Sequence, residues 1–312
     1  MSELLPVIEA LISEVDAGRP VALCAVVGAK GSTPQSPGAT MLVRADGTTF
    51  GTLGGGCVEA EVRRRAVEML LRSESGLLDF VLDHDYGWDD GLICGGRMTI
   101  GVASVATPGG LARYREAVVT ARAYQPAWFP VVVRHEGAEL EYRVFLEVPP
   151  TLLIAGAGHV GRALANLAVD LDFRVVVIDD RAEFAAPDRF DPRVRLVVGD
   201  IAQALAAWPV DPSSYVAIVT RGHQHDEEAL AAVVRRPAGY IGLIGSRRKS
   251  RLIFDDLKAQ GVTDAQLSRV CTPIGLDIGA VTVSEIAVSI AAELIRVRRQ
   301  TTPKLIEGPI RS

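Results

Sequence analysis

A glycine-rich turn between an apolar strand and a helix is the feature that most constrains the fold. The Gly-Ala-Gly-His-Val-Gly run at 156–161 directly follows the apolar run 152–155 and opens a helical segment. In this setting Gly156 and Gly158 permit a tight turn and the close approach of a pyrophosphate, while Gly161 lets helix and strand pack. The turn therefore predicts a nucleotide-binding strand–turn–helix unit.

Strands and helices alternate along the C-terminal half. Apolar strands are predicted at 152–155, 175–178, 196–198, 216–219 and 240–244, with helices near 160–170, 201–207, 227–235 and 249–260. Continuous apolar strands indicate burial on both faces and hence a parallel sheet. We therefore expect a doubly wound Rossmann domain over residues 151–302, followed by a flexible tail over 303–312.

Asp179 stands at the end of the second predicted strand, about 20 residues after the turn, where a carboxylate can accept ribose hydroxyls. This position favours NAD over NADP, because a carboxylate repels a 2′-phosphate, although Arg181 nearby weakens that preference. A Rossmann domain that binds another phosphorylated ligand, or none, is the alternative interpretation.

Two more polar loops follow predicted strands of this half. Residues 220–226 contain Arg221, His223 and His225, and residues 245–249 place three cations at a helix start, which favours a bound anion. The histidines are interpreted either as metal ligands or, preferably, as hydrogen-bonding or phosphate-contacting groups.

The first half, residues 1–148, mixes strands and helices and predicts an α+β domain that ends at the Val-Pro-Pro-Thr break at 148–151. Its most telling stretch is a glycine triplet followed by Cys57 and, two residues later, Glu59. A thiol at a helix N-terminus has its thiolate favoured by the helix dipole, so it is a better nucleophile or metal ligand. A tight turn followed by a small buried residue is the structural alternative.

Cys94 is also next to glycines, since it precedes Gly95 and Gly96, and the following Arg97 could hold a phosphate or stabilise a thiolate. Cys24 and Cys271 are expected to be buried core residues. The acidic residues around Gly87 suggest either a metal cluster or, more simply, a solvated turn.

Composition excludes several classes of protein. Of the 312 residues 48% are hydrophobic and 23% charged, which is typical of a globular protein. The net charge of −5 gives no footprint for nucleic acid, and no apolar run reaches the ~20 residues of a membrane span. Four widely spaced cysteines without a CxxC pair and an N-terminus without a basic segment predict a cytoplasmic protein with reduced thiols.

These motifs together resemble the xanthine dehydrogenase accessory family, the XdhC/CoxI proteins. The resemblance is carried, in order along nearly the whole chain, by residues 31–38, 41–43, 51–59, 94–96, 156–161, 179–181, 220–223, 240–246, 273–278, 285–290 and 292–293.

The resemblance implies an accessory factor that binds the molybdenum cofactor, supports its sulfuration and delivers it to a molybdenum hydroxylase. It implies a hydroxylase client and a cysteine desulfurase-type sulfur donor as partners, and a homodimer is compatible with it. An NAD(P)-dependent oxidoreductase that uses the Rossmann domain is the alternative.

Cys57 and Cys94 are the residues expected to contact molybdenum or sulfur. The residues expected to bind the cofactor are Gly54, Gly55, Gly56, Glu59, Gly95, Arg97, Gly156, Gly158, His159, Gly161, Asp179, Arg221, His223, Ser246 and Arg247.

Overall fold

A computed structural model of the chain describes residues 4–82 and 95–311. The described chain forms two compact units. The first comprises the residues up to Val148 together with those from Thr302 onward, and the second comprises Pro149–Thr301.

The first unit contains two antiparallel sheets. Its strands are β1 (Val21–Lys30), β2 (Thr40–Arg44), β3 (Thr49–Gly51), β4 (Gly76–Val81), β5 (Arg97–Val105), β6 (Ala127–His135), β7 (Ala138–Leu146) and, from the end of the chain, β14 (Ile306–Arg311). One sheet has the order β3-β2-β1-β5-β4 and the other β14-β7-β6. The helices of this unit are α1 (Leu4–Asp16), α2 (Gly56–Leu71) and α3 (Ala112–Arg122).

The central strand β1 separates two cores. Val21, Leu23 and Ala25 pack into the core that contains α1, α3 and the smaller sheet, whereas Ala22 and Cys24 pack into the core beneath α2. Because successive side chains of a strand point to opposite faces, burial on both faces requires an unbroken apolar run. The predicted buried strand at 21–27 is therefore present, in an antiparallel sheet.

The second unit is built on a six-stranded parallel sheet. Its strands are β8 (Thr151–Ala155), β9 (Arg174–Asp179), β10 (Arg195–Val198), β11 (Ser214–Ile218), β12 (Tyr240–Leu243) and β13 (Val270–Cys271), in the order β10-β9-β8-β11-β12-β13. Numbered within the unit, this is the order 3-2-1-4-5-6 of Rossmann domains. The predicted fold class, a mixed first half followed by a doubly wound parallel sheet, is confirmed.

Helices cover both faces of this sheet. They are α4 (His159–Asp170), α5 (Ile201–Ala207), α6 (His223–Val233), α7 (Arg247–Ala259), the short α8 (Asp264–Leu267) and α9 (Val283–Thr301). Leu152 and Ile154 of β8 pack with α4 and α9, while Leu153 and Ala155 pack with α5, α6 and α7. The sheet order reverses between β8 and β11, so the crevice for a ligand lies at the carboxyl ends of these strands.

The flexible tail predicted over 303–312 is wrong for most of its length. Ile306–Arg311 forms β14 and pairs with β7 in the first unit, with Ile306 opposite Val144. Strands are predicted from a local pattern of apolar residues, which this segment lacks. It is a strand because its backbone is hydrogen-bonded to β7, some 160 positions earlier in the chain, and the sequence does not show that pairing. Within 4–82 and 95–311, no helix has the length and apolar character that crossing a membrane requires.

Candidate functional site

The three glycines of the predicted nucleotide turn have different physical roles. Gly156 has a φ of 113°, and a Cβ there would lie 2.6 Å from the carbonyl oxygen of Val219. A Cβ on Gly161 would lie 1.9 Å from the carbonyl oxygen of Gly156. At Gly158, by contrast, no atom lies within 4 Å of a Cβ position, so that side of the turn is open to a ligand. The turn combines two packing glycines with one at an open surface.

Asp179 is fully occupied by protein donors. Its Oδ2 accepts hydrogen bonds from the backbone N–H of Ala157 at 2.7 Å and from Nη2 of Arg181 at 2.9 Å. Its Oδ1 accepts from the backbone N–H of Arg181 at 3.0 Å and from its Nε at 2.8 Å. Burial acts to raise the pKa of Asp179, but these hydrogen bonds outweigh burial and hold the pKa below its ordinary value of 3.8. The carboxylate therefore holds the glycine turn in place.

A cavity of about 500 Å³ opens beside the turn, in the range of small-molecule sites. Asp180 forms an ion pair with Arg221 at 2.9 Å on its wall. The guanidinium of Arg181 lies 3.7 Å from the ring centroid of Phe184. The residues that line this cavity are Gly156, Gly158, His159, Val160, Asp179, Asp180, Arg181, Phe184, Ile201, Val219, Thr220, Arg221, His225, Ile244 and Val283.

The cavity brings together some of the predicted residues of this unit and leaves out others. Gly156, Gly158, His159, Asp179 and Arg221 line it. The predicted residues of the unit that do not belong to this lining, in the described part of the chain, are Gly161, His223, Ser246 and Arg247. Gly161 packs under the turn, His223 begins α6, Ser246 caps α7 by accepting from the Lys249 N–H at 3.3 Å, and Arg247 is exposed.

A buried ion pair beside the cavity was missed by the sequence interpretation. Asp226 is completely buried; it accepts a hydrogen bond from Thr220 Oγ1 at 2.6 Å and pairs with the ammonium group of Lys249. It thereby joins the loop after β11 to the first turn of α7. The cations at the start of α7 were visible in the sequence, but only the packing shows that one of them neutralises a buried carboxylate.

In the first unit, the glycine triplet adopts a left-handed backbone throughout. The φ angles of Gly54, Gly55 and Gly56 are 108°, 74° and 69°. A Cβ on Gly54 would lie 2.8 Å from Cβ of Pro34, whereas Cβ positions on Gly55 and Gly56 have no atom within 4 Å. The triplet therefore requires glycine for its backbone, and its last two residues border open space at the start of α2.

Glu59 organises this loop from inside the helix. Its Oε2 accepts hydrogen bonds from Thr52 Oγ1 at 2.8 Å and from the backbone N–H groups of Leu53 and Gly55, both at 3.0 Å. Burial acts to raise the pKa of Glu59, but the three hydrogen bonds outweigh it and bring the pKa below its ordinary value of 4.5. Glu59, predicted as a cofactor-binding residue, is thus engaged in holding the loop.

Three loops that are far apart in sequence meet around residues 31–38. Gly54 packs on Pro34, and a Cβ on Gly96 would lie 2.1 Å from the carbonyl oxygen of Ser32. Ser32 also forms a parallel β-bridge with Gly95. The structure therefore brings the loop before Cys57 and the residues Gly95 and Gly96 to the same segment, 31–38.

Two exposed cations stand side by side next to these loops. Lys30 at the end of β1 is the register partner of Arg97 at the start of β5. Like charges opposite each other on neighbouring strands repel, an arrangement that a bound anion would relieve. Arg97 was singled out from the sequence, whereas the pairing of Lys30 with it required the register of the sheet.

The cysteines differ in environment. Cys57 is a half-buried thiol in the first turn of α2. Cys24 is buried in the core, and burial raises the pKa of its thiol to about 12. Cys271 is half-buried and its pKa is also raised by burial. Cys94 and the predicted acidic cluster around Gly87 lie outside the described residues.

Models of known protein families match segments of both units. A model described as the XdhC Rossmann domain matches residues 152–294, and a model described as the XdhC and CoxI family matches residues 15–81. The chain belongs to the XdhC and CoxI family. The resemblance drawn from the sequence motifs is thus confirmed.

Several curated proteins are similar to this XdhC-family chain. The uncharacterised protein YqeB of Escherichia coli K12 is 31% identical over 93% of the chain, which spans 46% of the length of YqeB. A Bacillus subtilis protein that is named a probable xanthine dehydrogenase subunit is 26% identical, over 89% of the chain and 93% of that protein. The molybdenum cofactor insertion chaperone PaoD of E. coli K12 is 24% identical, over 93% of the chain and 86% of PaoD.

A solved structure supports the fold. A Bacillus halodurans protein described as a xanthine dehydrogenase superposes with a TM-score of 0.76 at 23% identity, and the match covers 97% of each chain. At this level of identity the likeness establishes the architecture alone.

Proposed function

We propose that this protein binds the molybdenum cofactor as cargo in its first unit, supports its sulfuration, and delivers it to a molybdenum hydroxylase. Membership of the XdhC and CoxI family supports this role, as does the similarity to PaoD, which is named a molybdenum cofactor insertion chaperone. The B. subtilis relative, named for a xanthine dehydrogenase, supports a hydroxylase of that type as the client.

The observation that carries the proposal is the open glycine loop in front of Cys57. The backbone at Gly55 and Gly56 leaves room for a ligand, and both residues stand at the N-terminus of a 16-residue helix. The first N–H groups of a helix and its dipole favour an anion, and the pterin cofactor carries a phosphate. Lys30 and Arg97, on the neighbouring strands, add positive charge.

The thiol of Cys57 supplies the second kind of contact. A thiolate is a soft ligand that suits a metal–sulfur centre or sulfur transfer, and the helix dipole favours the deprotonated form. In this proposal Cys57 contacts molybdenum or its sulfur, with Cys94 as the second thiol. Gly54 and Glu59 shape the loop, and Gly95 and Arg97 complete the site.

The remaining predictions concern the surroundings of this cargo site. We include in the proposal a cysteine desulfurase-type sulfur donor, a cytoplasmic location and a homodimer. The cavity of the second unit would then hold a nucleotide as a ligand of its own.

The test is the binding of pterin cofactor released from a molybdenum hydroxylase. We expect one equivalent bound per chain, and Cys57→Ser to weaken binding by about tenfold or more, because the hydroxyl is a poor ligand for a soft metal. Cys271→Ser is the matched control, since Cys271 is also half-buried but belongs to the second unit. Undiminished binding by Cys57→Ser would remove Cys57 from the site, and no binding by the unaltered protein would refute the proposal.

A second candidate function is an NAD-linked oxidoreductase, which the cavity at Gly158 favours. The open side of the turn, the free end of α4 and the stacked Arg181–Phe184 pair suit a dinucleotide. Titration with NAD and NADP, followed by thermal shift, tests it. A dissociation constant of about 1 mM corresponds to a binding free energy of about −4 kcal/mol. No response to either dinucleotide up to about that concentration would contradict this candidate.

A further inference from the structure

We infer that His223, Glu227 and Asp256 form a binding site for a divalent transition metal ion, beyond the proposed cofactor-binding function. His223 and Glu227 lie one turn apart on α6, and Asp256 lies on α7. One ligand atom from each residue lies within 4.8 Å of those of the other two. Nε2 of His223 is 4.0 Å from Oδ2 of Asp256. Two helices thus bring together three metal-ligating groups that are up to 33 positions apart in sequence.

The positions follow from the geometry of the helices. Residues i and i+4 of an α-helix share a face, so His223 and Glu227 project in the same direction. Helix α7 packs against α6, which presents Asp256 to the same space. An i, i+4 pair on one helix with a third ligand from a neighbouring helix is an arrangement that protein scaffolds use to hold metals.

The charge distribution favours a cation between these residues. Two carboxylates held this close repel each other unless a positive charge lies between them. Within 4–82 and 95–311, neither Glu227 nor Asp256 forms an ion pair with a lysine or arginine. Asp256 does form a contact of 4.0 Å with the imidazole of His223, which is neutral when it ligates a metal.

The hydrogen bonding of Glu227 also fits a ligand role. Nε2 of Gln260 donates a hydrogen bond of 3.0 Å to Oε1 of Glu227. Such an outer contact orients a ligating carboxylate and leaves its second oxygen for the metal. Ligand distances of about 2.1 Å require the ligand atoms to lie about 3 to 3.5 Å apart. His223 and Asp256 are exposed and Glu227 is half-buried, so side-chain rotation at the two exposed residues is the movement that would bring the three groups together.

The donor set selects the type of metal. One imidazole nitrogen and two carboxylate oxygens suit Mn²⁺, Co²⁺ or Zn²⁺, whereas Mg²⁺ and Ca²⁺ prefer oxygen ligands alone. Three protein ligands leave coordination positions open, which is typical of sites that bind a further molecule rather than of closed structural sites. The site belongs to the second unit, whereas Cys57 belongs to the first.

The experiment uses Mn²⁺, because this ion avoids thiols and therefore does not report on the cysteines. Titration of the metal-free protein, followed through the EPR signal of unbound Mn²⁺, should show one ion bound per chain. We expect His223→Ala and Asp256→Asn each to weaken binding at least about tenfold. Co²⁺ should give an absorption spectrum of nitrogen and oxygen ligation, without a thiolate charge-transfer band.

His135→Ala is the matched control. His135 is an exposed histidine in the first unit, with its Nε2 also 4.0 Å from a carboxylate oxygen, that of Glu136. Its replacement should leave Mn²⁺ binding unchanged, and circular dichroism should confirm that all the variants are folded. Unchanged binding in His223→Ala, or no saturable binding of Mn²⁺ or Co²⁺ by the unaltered protein, would overturn the inference.

Discussion

The carboxylate of Asp179 accepts a hydrogen bond of 2.7 Å from the backbone N–H of Ala157, in the middle of the glycine-rich turn. This contact joins the end of β9 to the turn that follows β8. With Arg181 occupying the remaining lone pairs, Asp179 supports the nucleotide turn from below. The carboxylate of the neighbouring Asp180 lies at the cavity wall and is more exposed.

This relationship predicts different effects for the two neighbouring aspartates. Asp179→Asn should lower the free energy of unfolding of the second unit by about 2 to 4 kcal/mol, because the mostly buried Arg181 would lose its charged partner at 2.8 Å and keep only the longer contact of 3.7 Å with Asp180. Asp180→Asn should cost less than about 1 kcal/mol, since its ion pair with Arg221 is largely exposed. Urea denaturation measures both. Equal losses would show that Asp179 has no special structural role.

The turn glycines offer a second matched pair. Gly161→Ala should destabilise the second unit by about 3 kcal/mol or more, because its Cβ would clash with the Gly156 carbonyl oxygen. Gly158→Ala should leave stability within about 1 kcal/mol, since its φ is −67° and the space around it is open. Thermal unfolding tests this difference. Any nucleotide that binds at the turn should bind Gly158→Ala more weakly; unchanged binding would place the ligand elsewhere.

Glu59 is expected to stabilise the loop before Cys57. Glu59→Gln should cost about 1 to 3 kcal/mol, because a neutral amide oxygen is a weaker acceptor than a carboxylate for the three hydrogen bonds that converge on Oε2. Hydrogen exchange at the amides of Leu53 and Gly55 should become faster. The control is Glu61→Gln on the same helix, whose ion pairs with arginines are exposed and whose loss should leave both amides unaffected. Faster exchange in both variants would contradict a specific role for Glu59.

Stability should fall on acidification through Glu59 and Asp179. Both have folded-state pKa values below their ordinary values of 4.5 and 3.8. For each carboxylate, the unfolded chain binds more protons than the folded chain at pH values between the folded-state pKa and the ordinary pKa. Stability therefore rises with pH across that interval. The contribution of the two carboxylates is therefore complete above about pH 5 and is lost as the pH falls through the folded-state pKa values. Urea midpoints at several pH values should show this loss, with a smaller loss in Glu59→Gln.

Local features were readable from the sequence because they depend on neighbouring residues. The capping box at the start of α9 is one example, since Thr282 and Glu285 exchange hydrogen bonds as their spacing predicts. The Asp-Gly hairpin between β2 and β3 is another. The Rossmann domain was equally visible, because buried parallel strands are continuous apolar runs and a glycine turn marks the first of them.

The sequence by itself therefore determined the family and the fold class, and it showed where the glycine turns lie in the chain. Only the tertiary structure decided which groups those residues contact: Asp179 with Arg181, Asp226 with Lys249, and Gly54 and Gly96 with the loop 31–38. It also placed β14 beside β7, where a flexible tail was expected. The reason is physical. Secondary structure follows from periodicity and turn chemistry within a few residues, whereas the partner of a carboxylate or of a strand edge is set by the packing of distant segments.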